Sequence, residues 1–382
     1  MAQAPRFIHL RTHSEYSLLE GALRLKKLPD LCKGADMPAL ALTDTNNMFA
    51  ALEFSVAMAG AGVQPIIGCQ VDLAYVKVQP GEKPRDPAPV VLLAQSEAGY
   101  ENLMKLNSCL YIDKGGALPQ VTLEELESLN GELICLTGGA GGPVGQLLQG
   151  GQRPAAEALM ARLHGAFADR LYVELQRHPG EDGQPVAEQL TERGFVEMAY
   201  DMGIPLVATN DVYFPKADMY EAHDALICIA DGAYVDQQDA RRRLTREHYF
   251  KSPQEMATLF ADLPEALENT VEIARRCAFG CYRRDPILPK FADDEVVELR
   301  RQAIILRRYL MPQRDALRGL QAALRKGGWK VTCALHHGAA GVPTVIELWP
   351  GLRDEPVYGL AVDLGSTTIA AHLCDLRSGA VV

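Results

Sequence analysis

Short apolar runs alternate with longer amphipathic stretches through the first 215 residues of the chain. Most of the apolar runs are rich in Val, Ile and Leu without strict alternation, which is typical of parallel strands buried on both faces. Gly, Pro and Asp punctuate the joins between the runs. Seven strands are predicted, at Phe7–Arg11, Ala39–Thr43, Gln64–Ala74, Val90–Ala94, Glu132–Thr137, Leu171–Gln176 and Leu206–Thr209. Helices are predicted between them, at Ala22–Ala35, Met48–Ala61, Ala98–Leu110, Ala155–Ala168 and Pro185–Met202.

The order of these elements predicts an α/β fold. Repeated strand–helix units with right-handed crossovers form either a doubly wound sheet or a closed barrel, and the spacing alone leaves both open. From Met219 to Cys281 the pattern becomes helical, with apolar residues at helical spacing in Glu265–Cys277. Pro286–Phe291 is then expected to be an extended linker.

Composition and charge narrow the class of protein. The chain has 382 residues, of which 48% are hydrophobic and 23% charged, as in ordinary globular proteins, and its length suggests two to three domains. The formal net charge of −11 disfavours a surface that grips nucleic acid by itself. We recognise no signal peptide and no long apolar segment, and the nine cysteines are scattered. A cytoplasmic protein with reduced thiols and no membrane contact is therefore expected.

Polar and titratable residues lie where two of the predicted strands end. Arg11, Thr12 and His13 end the first strand, and Asp44 and Thr45 follow the second. Ligands and catalytic groups often lie at the carboxyl ends of parallel strands, where the loops converge on one rim. These residues are therefore the first candidates for a functional site.

The segment FIHLRTHSEYSLLEG at Phe7–Gly21 and the segment ALTDTNN at Ala41–Asn47 resemble the PHP (polymerase and histidinol phosphatase) domain that opens the alpha subunit of bacterial DNA polymerase III. The resemblance runs from about Phe7 to about Arg301. It implies a distorted seven-stranded (β/α) barrel, similar to a TIM barrel, over residues 1–285. In that family a linker with the pattern Leu-Pro-x-Phe, here at 288–291, leads toward the polymerase palm.

Active PHP domains hold two or three divalent metal ions at the barrel rim, where the ions activate water for phosphoester hydrolysis. The resemblance implies that six positions of this ligand pattern have changed. The histidine, cysteine and acidic positions of the family are occupied here by Arg11, Thr45, Gln70, Pro89, Gly139 and Tyr213. Ligand-type side chains remain at His13, Glu20, Asp44, His178 and Asp211.

Arg11 weighs most against a metal cluster. A guanidinium stays protonated, and it repels a divalent ion a few ångströms away by several kcal/mol at an intermediate dielectric. We expect Arg11 to pair instead with Glu20, Asp44 or Asp211. No tight multinuclear metal site is expected, and Zn²⁺ or Mn²⁺ enters only if the hydrolase site is active.

The remaining polar residues then have structural roles at the rim. His13 and His178 are expected to form hydrogen bonds with carboxylates rather than to bind a metal. Asp44 either caps the helix from Asn46 onward or supports the rim from behind. No cofactor is expected in this chain.

The chain changes character after Arg301. From Arg301 to Lys330 it has eight Lys or Arg and one acidic residue, so residues 286–324 are expected to form the linker and a basic helix. Val357–Ala371 has the pattern strand, Gly-Ser-Thr turn, strand. It resembles the first phosphate-binding hairpin of the actin, sugar-kinase and Hsp70 ATPase superfamily, and most of all the ATPase part of corrinoid-protein reductive activators. The phosphate-binding residues that this resemblance implies are Asp363, Gly365, Ser366, Thr367 and Thr368.

Residues 325–382 are accordingly expected to be a truncated ATPase fragment, a small α/β tail that does not bind nucleotide. The simplest account of two unrelated resemblances in one chain is a fused or misassembled reading frame. In that account an alpha-subunit N-terminus carries a foreign tail.

Three hypotheses of function follow from these resemblances. The leading one is the N-terminal PHP portion of the replicative DNA polymerase III alpha subunit, a DNA-directed DNA polymerase. Here it would be a metal-poor scaffold that supports the polymerase core and docks the proofreading exonuclease and other holoenzyme subunits. In the family that the chain resembles, the polymerase core binds DNA and Mg²⁺, and no acidic cluster after residue 286 of this chain matches the carboxylates of that core. The alternatives are a stand-alone PHP-type metal-dependent phosphoesterase and an ATPase-type corrinoid activator fragment.

Overall fold

A computed structural model of the protein describes residues 7–76, 85–112, 118–179, 186–237, 241–284, 300–305, 318–337, 343–353, 358–364 and 369–375. The chain divides into two compact units, Met1–Arg284 and Asp285–Val382. Each unit is described by itself.

The first unit is built on one curled, mixed sheet. Its strands are β1 Ala39–Leu42, β2 Gln64–Ala74, β3 Ala88–Ala94, β4 Val121–Thr122, β5 Leu133–Leu136, β6 Leu171–Leu175 and β7 Leu206–Ala208. Hydrogen-bonded neighbours follow the order β1-β2-β3-β5-β6-β7, and β4 pairs with β2. The predicted α/β fold class is confirmed, and six of the seven predicted strands are present within two residues of their predicted ends.

The first predicted strand, Phe7–Arg11, is not a regular strand. The backbone amides of Ala41 and Thr43 donate to the carbonyls of His9 and Thr12. The donors are two residues apart and the acceptors three, so one extra residue interrupts the ladder. On its other side this segment meets the residues that follow β7, because Val212 N donates to the carbonyl of Arg11. The segment therefore lies between the two edge strands and joins them.

The expectation of parallel strands was wrong for β3, which is antiparallel to both β2 and β5. The pairs β1–β2, β5–β6 and β6–β7 are parallel. The sequence pattern misled because a continuous apolar run reports burial on both faces of a sheet and carries no information on strand direction. All seven residues of β3 except Pro89 are fully buried.

Helices cover the sheet, and the described residues of this unit contain ten α-helices: α1 Leu28–Gly34, α2 Ala51–Gly60, α3 Glu97–Cys109, α4 Leu123–Ser128, α5 Pro143–Gln149, α6 Arg153–Phe167, α7 Ala187–Met202, α8 Tyr220–Asp231, α9 Pro253–Leu259 and α10 Pro264–Arg276. Of these ten helices, α2, α3, α7 and α10 contact β2, β3, β6 and β7 respectively. Side-chain caps begin three of them, including capping boxes at Thr122 and Ser252. Among helices in the described ranges, none is both long and apolar enough to cross a bilayer.

The helix predicted at Ala22–Ala35 is shorter in the structure. Leu25–Lys27 forms a single 3₁₀ turn, and α1 begins only at Leu28. Pro29 explains the late start, because proline lacks a backbone N–H and fits the first turn of a helix but not its interior.

The second unit contains two antiparallel hairpins and helical residues at 300–305 and 318–326. The hairpins pair β8 Val331–His337 with β9 Pro343–Pro350, and β10 Tyr358–Leu364 with β11 Ile369–Asp375. Strands β10 and β11 confirm the two strands predicted within Val357–Ala371. The turn between them, with Gly365, Ser366, Thr367 and Thr368, lies outside the described residues, and Asp363 lies on β10.

Candidate functional site

The candidate site lies at the rim where the irregular segment Arg11–His13 meets the ends of the neighbouring strands. Thr12 forms an isolated parallel bridge with Val212, and Thr45 forms another with Gln70. These bridges bring Arg11, His13, Thr45 and Gln70 to one place, as expected for residues that follow neighbouring strands.

Arg11 is at the centre of this rim and is almost completely buried. Its Nε lies 2.9 Å from Oδ1 of Asp211, and its Nη1 lies 3.3 Å from Oε1 of Glu174. Its Nε and Nη2 also donate to Oε1 of Gln70, at 3.1 and 2.8 Å. Nη1 donates to the carbonyl of Gly138 at 3.3 Å. One guanidinium thus joins four segments of the barrel.

The charge of Asp211 is maintained by its neighbours. Burial alone would raise the pKa of this carboxyl, but the guanidinium of Arg11 and the hydrogen bond from His13 hold the pKa well below its ordinary value. His13 Nε2 lies 2.9 Å from the same Oδ1 that Arg11 contacts. Asp211 also has a left-handed backbone, with φ of 48°. A non-glycine residue in this region is uncommon and marks a position that the surroundings hold firmly.

Glu174 was missed as a site residue in the sequence. It lies in β6, is fully buried, and accepts hydrogen bonds from Gly138 N at 2.9 Å and from Gln176 Nε2 at 3.3 Å, besides those from Arg11 and Thr209. The available signal was a single acidic residue within the otherwise apolar run Leu171–Leu175. A charged side chain is rarely fully buried unless it is paired, so this residue implied a buried cation.

Asp44 does not cap a helix. Its carboxylate accepts hydrogen bonds from Ser14 N at 2.7 Å, Ser14 Oγ at 2.8 Å and Ser17 Oγ at 2.7 Å. Burial raises the pKa of Asp44, although the hydrogen bonds from Ser17 and Ser14 oppose the rise. Asp44 therefore fixes the loop that follows Arg11–His13, and it does not pair with Arg11.

Aromatic and hydroxyl side chains at the rim surround His13. The ring of Tyr213 stacks on the His13 ring, with centroids 4.2 Å apart and planes 8° from parallel. His13 Nδ1 lies 3.3 Å from Ser17 Oγ and 3.4 Å from Thr45 Oγ1. Both nitrogens of His13 thus have protein partners.

Glu20 and His178, two other ligand-type residues that remain in the family pattern, have partners outside the Arg11 network. The carboxylate of Glu20 forms an ion pair with Arg242, at 2.7 Å. His178 Nε2 donates to the carbonyl of Asn210 at 2.8 Å, and its Nδ1 lies 3.0 Å from Oε1 of Glu188. The sequence predicted a carboxylate partner for His178, and the structure supplies one.

The residues present do not fit a multinuclear cation cluster. Asp211 and Glu174, the carboxylates nearest the centre, are both bound to a buried guanidinium that repels a divalent ion. Within the described part of the chain, no group of three His, Cys, Asp or Glu residues could hold a metal ion. What the rim does physically is connect strands through a network of buried ionic hydrogen bonds.

His9 lies two residues before Arg11 and makes the stability of this unit sensitive to pH. It is fully buried against the rings of Phe7 and Phe250, and its Nε2 donates to the carbonyl of Lys251 at 2.8 Å. Its Nδ1 has no hydrogen-bond partner among the described residues. Burial lowers the pKa of His9 from 6.5 to about 4.

Because the pKa of His9 is lower in the folded state than in the unfolded state, protonation favours unfolding. We expect the free energy of unfolding to fall by about 2 kcal/mol through His9 between pH 7 and pH 5. Urea unfolding of the wild type and of His9→Gln at both pH values would test this, since the variant lacks the titrating group. Equal losses in the two proteins would contradict the prediction.

Comparison with protein families finds a match to part of the first unit. Residues 9–178 match the family model of the PHP domain, and the first unit has the α/β PHP barrel fold. An amidohydrolase from Chromobacterium violaceum is 15% identical, with a TM-score of 0.38, over 57% of this chain and 96% of its own.

Curated relatives of the chain carry the name DNA polymerase III subunit alpha. The chain is 48% identical over 308 residues to DNA polymerase III subunit alpha of Caulobacter vibrioides, which covers 79% of this chain and 26% of the relative. It is 38% identical over 293 residues to DNA polymerase III subunit alpha of Rickettsia bellii, which covers 76% of this chain and 24% of the relative. The chain therefore spans about a quarter of the length of these curated relatives. Residues 297–355 match a different family model, the RACo linker region.

Proposed function

We propose that the first unit is the N-terminal PHP region of a replicative DNA polymerase III alpha subunit and that it acts as a metal-poor scaffold. The observation that carries this proposal is the buried ion pair of Arg11 with Asp211 and Glu174, at a rim where an active PHP enzyme needs metal ligands. The similarity to alpha subunits over 79% of the chain supports the same assignment.

A scaffold needs an intact barrel and not an intact metal site. In this role the unit supports the polymerase core and docks the proofreading exonuclease and other holoenzyme subunits in the cytoplasm. DNA contacts and Mg²⁺-dependent nucleotidyl transfer then belong to the polymerase core. The net charge of −11 is consistent with docking proteins rather than DNA.

Binding to the cognate exonuclease subunit tests the scaffold role. We expect the full chain to form a complex with the purified exonuclease at micromolar concentrations, detected by size-exclusion chromatography with light scattering. The complex should survive treatment with a chelator, because the proposed role does not depend on a metal. Failure to bind, or loss of binding on chelation, would contradict the proposal.

A stand-alone phosphoesterase is the second candidate, and the match to the PHP family supports it. That function requires bound Zn²⁺ or Mn²⁺ to generate the nucleophile. We expect less than one bound metal ion per chain in elemental analysis after dialysis, and no metal-dependent hydrolysis of phosphomonoesters or phosphodiesters. Two or more ions per chain together with hydrolysis would establish the phosphoesterase instead.

The match of residues 297–355 to the RACo linker region supports a separate origin for the tail. We infer that the tail comes from an ATPase-type corrinoid activator and was joined to the alpha-subunit region by fusion or misassembly of a reading frame. Continuous sequencing reads across codons 295–330 of the source DNA test this, and reads that span the join would exclude misassembly. We expect no ATP binding by the chain, and measurable binding would favour a working activator fragment.

A further inference from the structure

The second unit exposes an aromatic side chain at an unusual backbone position. Trp329 follows the helical residues 318–326 and is 75% exposed. Its backbone is left-handed, with φ of 66°, which is rare for a bulky residue. The ring therefore gains little from burial, and the backbone that carries it is strained. Strain at an exposed side chain is a reason to look for a ligand of that side chain.

Backbone hydrogen bonds fix Trp329 at the end of the hairpin where β8 begins and β9 ends. Its amide donates to the carbonyl of Leu324 at 2.8 Å, which ties it to the last turn of the preceding helix. Gly351 N donates to the carbonyl of Lys330 at 2.9 Å, so pairing of the two strands continues past Val331. A preorganised surface loses little conformational freedom when it binds.

The second tryptophan of the chain lies at the same end of this hairpin. Trp349 is half-buried and pairs across the strands with Thr332. The guanidinium of Arg353 lies over the Trp349 ring, 5.9 Å from its centroid, in a cation–π arrangement. Thr332 holds this arrangement, because its Oγ1 accepts from Arg353 N at 2.9 Å. We call Trp329, Lys330, Trp349 and Arg353 the tryptophan surface.

Basic residues outnumber acidic ones around the tryptophan surface. The described residues 318–337 and 343–353 contain five Lys or Arg and one acidic residue, a formal charge of +4 in a chain whose net charge is −11. All six charged side chains are exposed: Arg318, Arg325, Lys326, Lys330, Arg353 and Glu347. Two further acids, Asp354 and Glu355, follow in the sequence and leave the sum positive. Salt screens distant charges beyond about 8 Å, so this local excess favours an anionic ligand.

Exposed tryptophan beside cations fits single-stranded nucleic acid. In such complexes the bases stack on aromatic rings, and Lys and Arg neutralise the phosphates. A bilayer surface also attracts cations and tryptophan, but it requires a helix with a free apolar face. The apolar residues of the helix at 318–326 are not free, because Ala323 is 6% exposed and Leu320 and Leu324 are half-buried.

We propose that the tryptophan surface binds single-stranded nucleic acid without sequence preference. A base stacks on the exposed ring of Trp329, and the neighbouring phosphates lie beside Lys330 and the cations Arg325 and Lys326. Stacking selects single strands, because every base of a single strand can present a free face to the ring. The proposal concerns the second unit alone and is independent of the scaffold role of the first.

Tryptophan fluorescence of the full chain tests the proposal, because its two tryptophans, Trp329 and Trp349, both belong to this surface. We expect an oligodeoxythymidine of about 20 nucleotides to quench the emission, with a Kd of about 1–100 μM at physiological salt. A duplex of the same length should quench less, because its bases are stacked on one another. Absence of binding at about 100 μM oligonucleotide, or tighter binding of the duplex, would overturn the proposal.

Fluorescence anisotropy of a fluorescein-labelled oligodeoxythymidine compares variants of the ring. We expect Trp329→Ala to weaken binding at least about fivefold, and Trp329→Phe, which keeps an aromatic ring, to retain most of the affinity. The matched control is Tyr234→Ala in the first unit, because Tyr234 is an aromatic residue that is also 75% exposed. The control should bind like the wild type, and all variants should keep the wild-type circular dichroism spectrum. Unchanged affinity in Trp329→Ala would contradict stacking.

Lys330→Gln tests the phosphate contacts of the same surface. We expect weaker binding and a slope of log affinity against log salt concentration that is shallower by about 0.7. The control Lys105→Gln removes an exposed lysine from α3 and should change neither quantity. Equal effects of the two lysine variants would show that binding follows the total charge of the chain, which would overturn the surface. Binding to phosphatidylglycerol vesicles in place of the oligonucleotide would overturn it in favour of a membrane contact.

Discussion

Replacing Arg11 by methionine should lower the free energy of unfolding of the first unit by about 3–5 kcal/mol. Methionine reproduces the apolar stem of arginine and lacks its guanidinium, so the main effect is the loss of the charge and its hydrogen bonds. Asp211 and Glu174 would then be buried without their cation. Removing one partner of a buried ion pair is strongly destabilising, because the remaining charge is buried without compensation. Replacing the whole pair by hydrophobic residues of similar volume is far less destabilising.

Urea unfolding followed by far-UV circular dichroism is the suitable measurement, because both tryptophans, Trp329 and Trp349, lie in the second unit. The matched control is Arg153→Met, which removes an arginine that also contacts two carboxylates, Glu157 and Glu197, but is 46% exposed. Exposed ion pairs contribute about 0–1 kcal/mol, so the control should remain close to the wild type. Equal losses in the two variants would show that the Arg11 network does not stabilise the barrel.

The loss of unfolding free energy caused by Arg11→Met should also depend on pH. Burial raises the pKa of Asp211, but Arg11 and His13 lower it to a net value well below the ordinary range. A carboxyl with a lowered pKa stabilises the folded state above its unfolded-state pKa, and this stabilisation disappears as the pH falls. The difference between the wild type and Arg11→Met should therefore narrow below about pH 4.

The sequence predicted the fold class and much of the rim because both depend on local signals. Strand and helix positions follow from apolar periodicity, and residues after strands converge on one edge whatever the details of the loops. The pairing of Arg11 with Asp211 was among the expected alternatives, since a buried arginine needs an acidic partner. Glu20 and Asp44 were equally plausible in the sequence, and only the three-dimensional structure separates them from Asp211.

Other features were not accessible from local signals. Strand direction at β3 and the irregular hydrogen bonding of Phe7–Arg11 depend on how distant segments pair. Glu174 was overlooked because it lies within a strand, whereas the search for ligands followed the residues after strands. Its side chain reaches the rim from inside the barrel, together with Gln176 and Thr209.

Gly138 connects this network to the glycine-rich segment after β5, and Gly138→Ala should be the second strongly destabilising change. Gly138 has φ of 83°, and an added Cβ would lie 1.9 Å from the carbonyl oxygen of Pro89. Its amide donates to Glu174 and its carbonyl accepts from Arg11, so the backbone cannot move without breaking the network. We expect a loss of about 3 kcal/mol or more, from left-handed strain and steric overlap together.

Gly151→Ala separates the two causes. Gly151 has φ of 66°, but apart from its two chain neighbours no described residue has an atom within 4 Å of its added Cβ. This control carries only the left-handed strain, which costs about 1–2 kcal/mol. Urea unfolding measures the loss of stability in each variant. A larger loss in Gly138→Ala than in Gly151→Ala would show that contacts with Pro89 and the Arg11 network hold the glycine-rich segment in its conformation. Equal losses would mean that the segment moves aside, and the rim would then be a more adaptable structure than its buried hydrogen bonds imply.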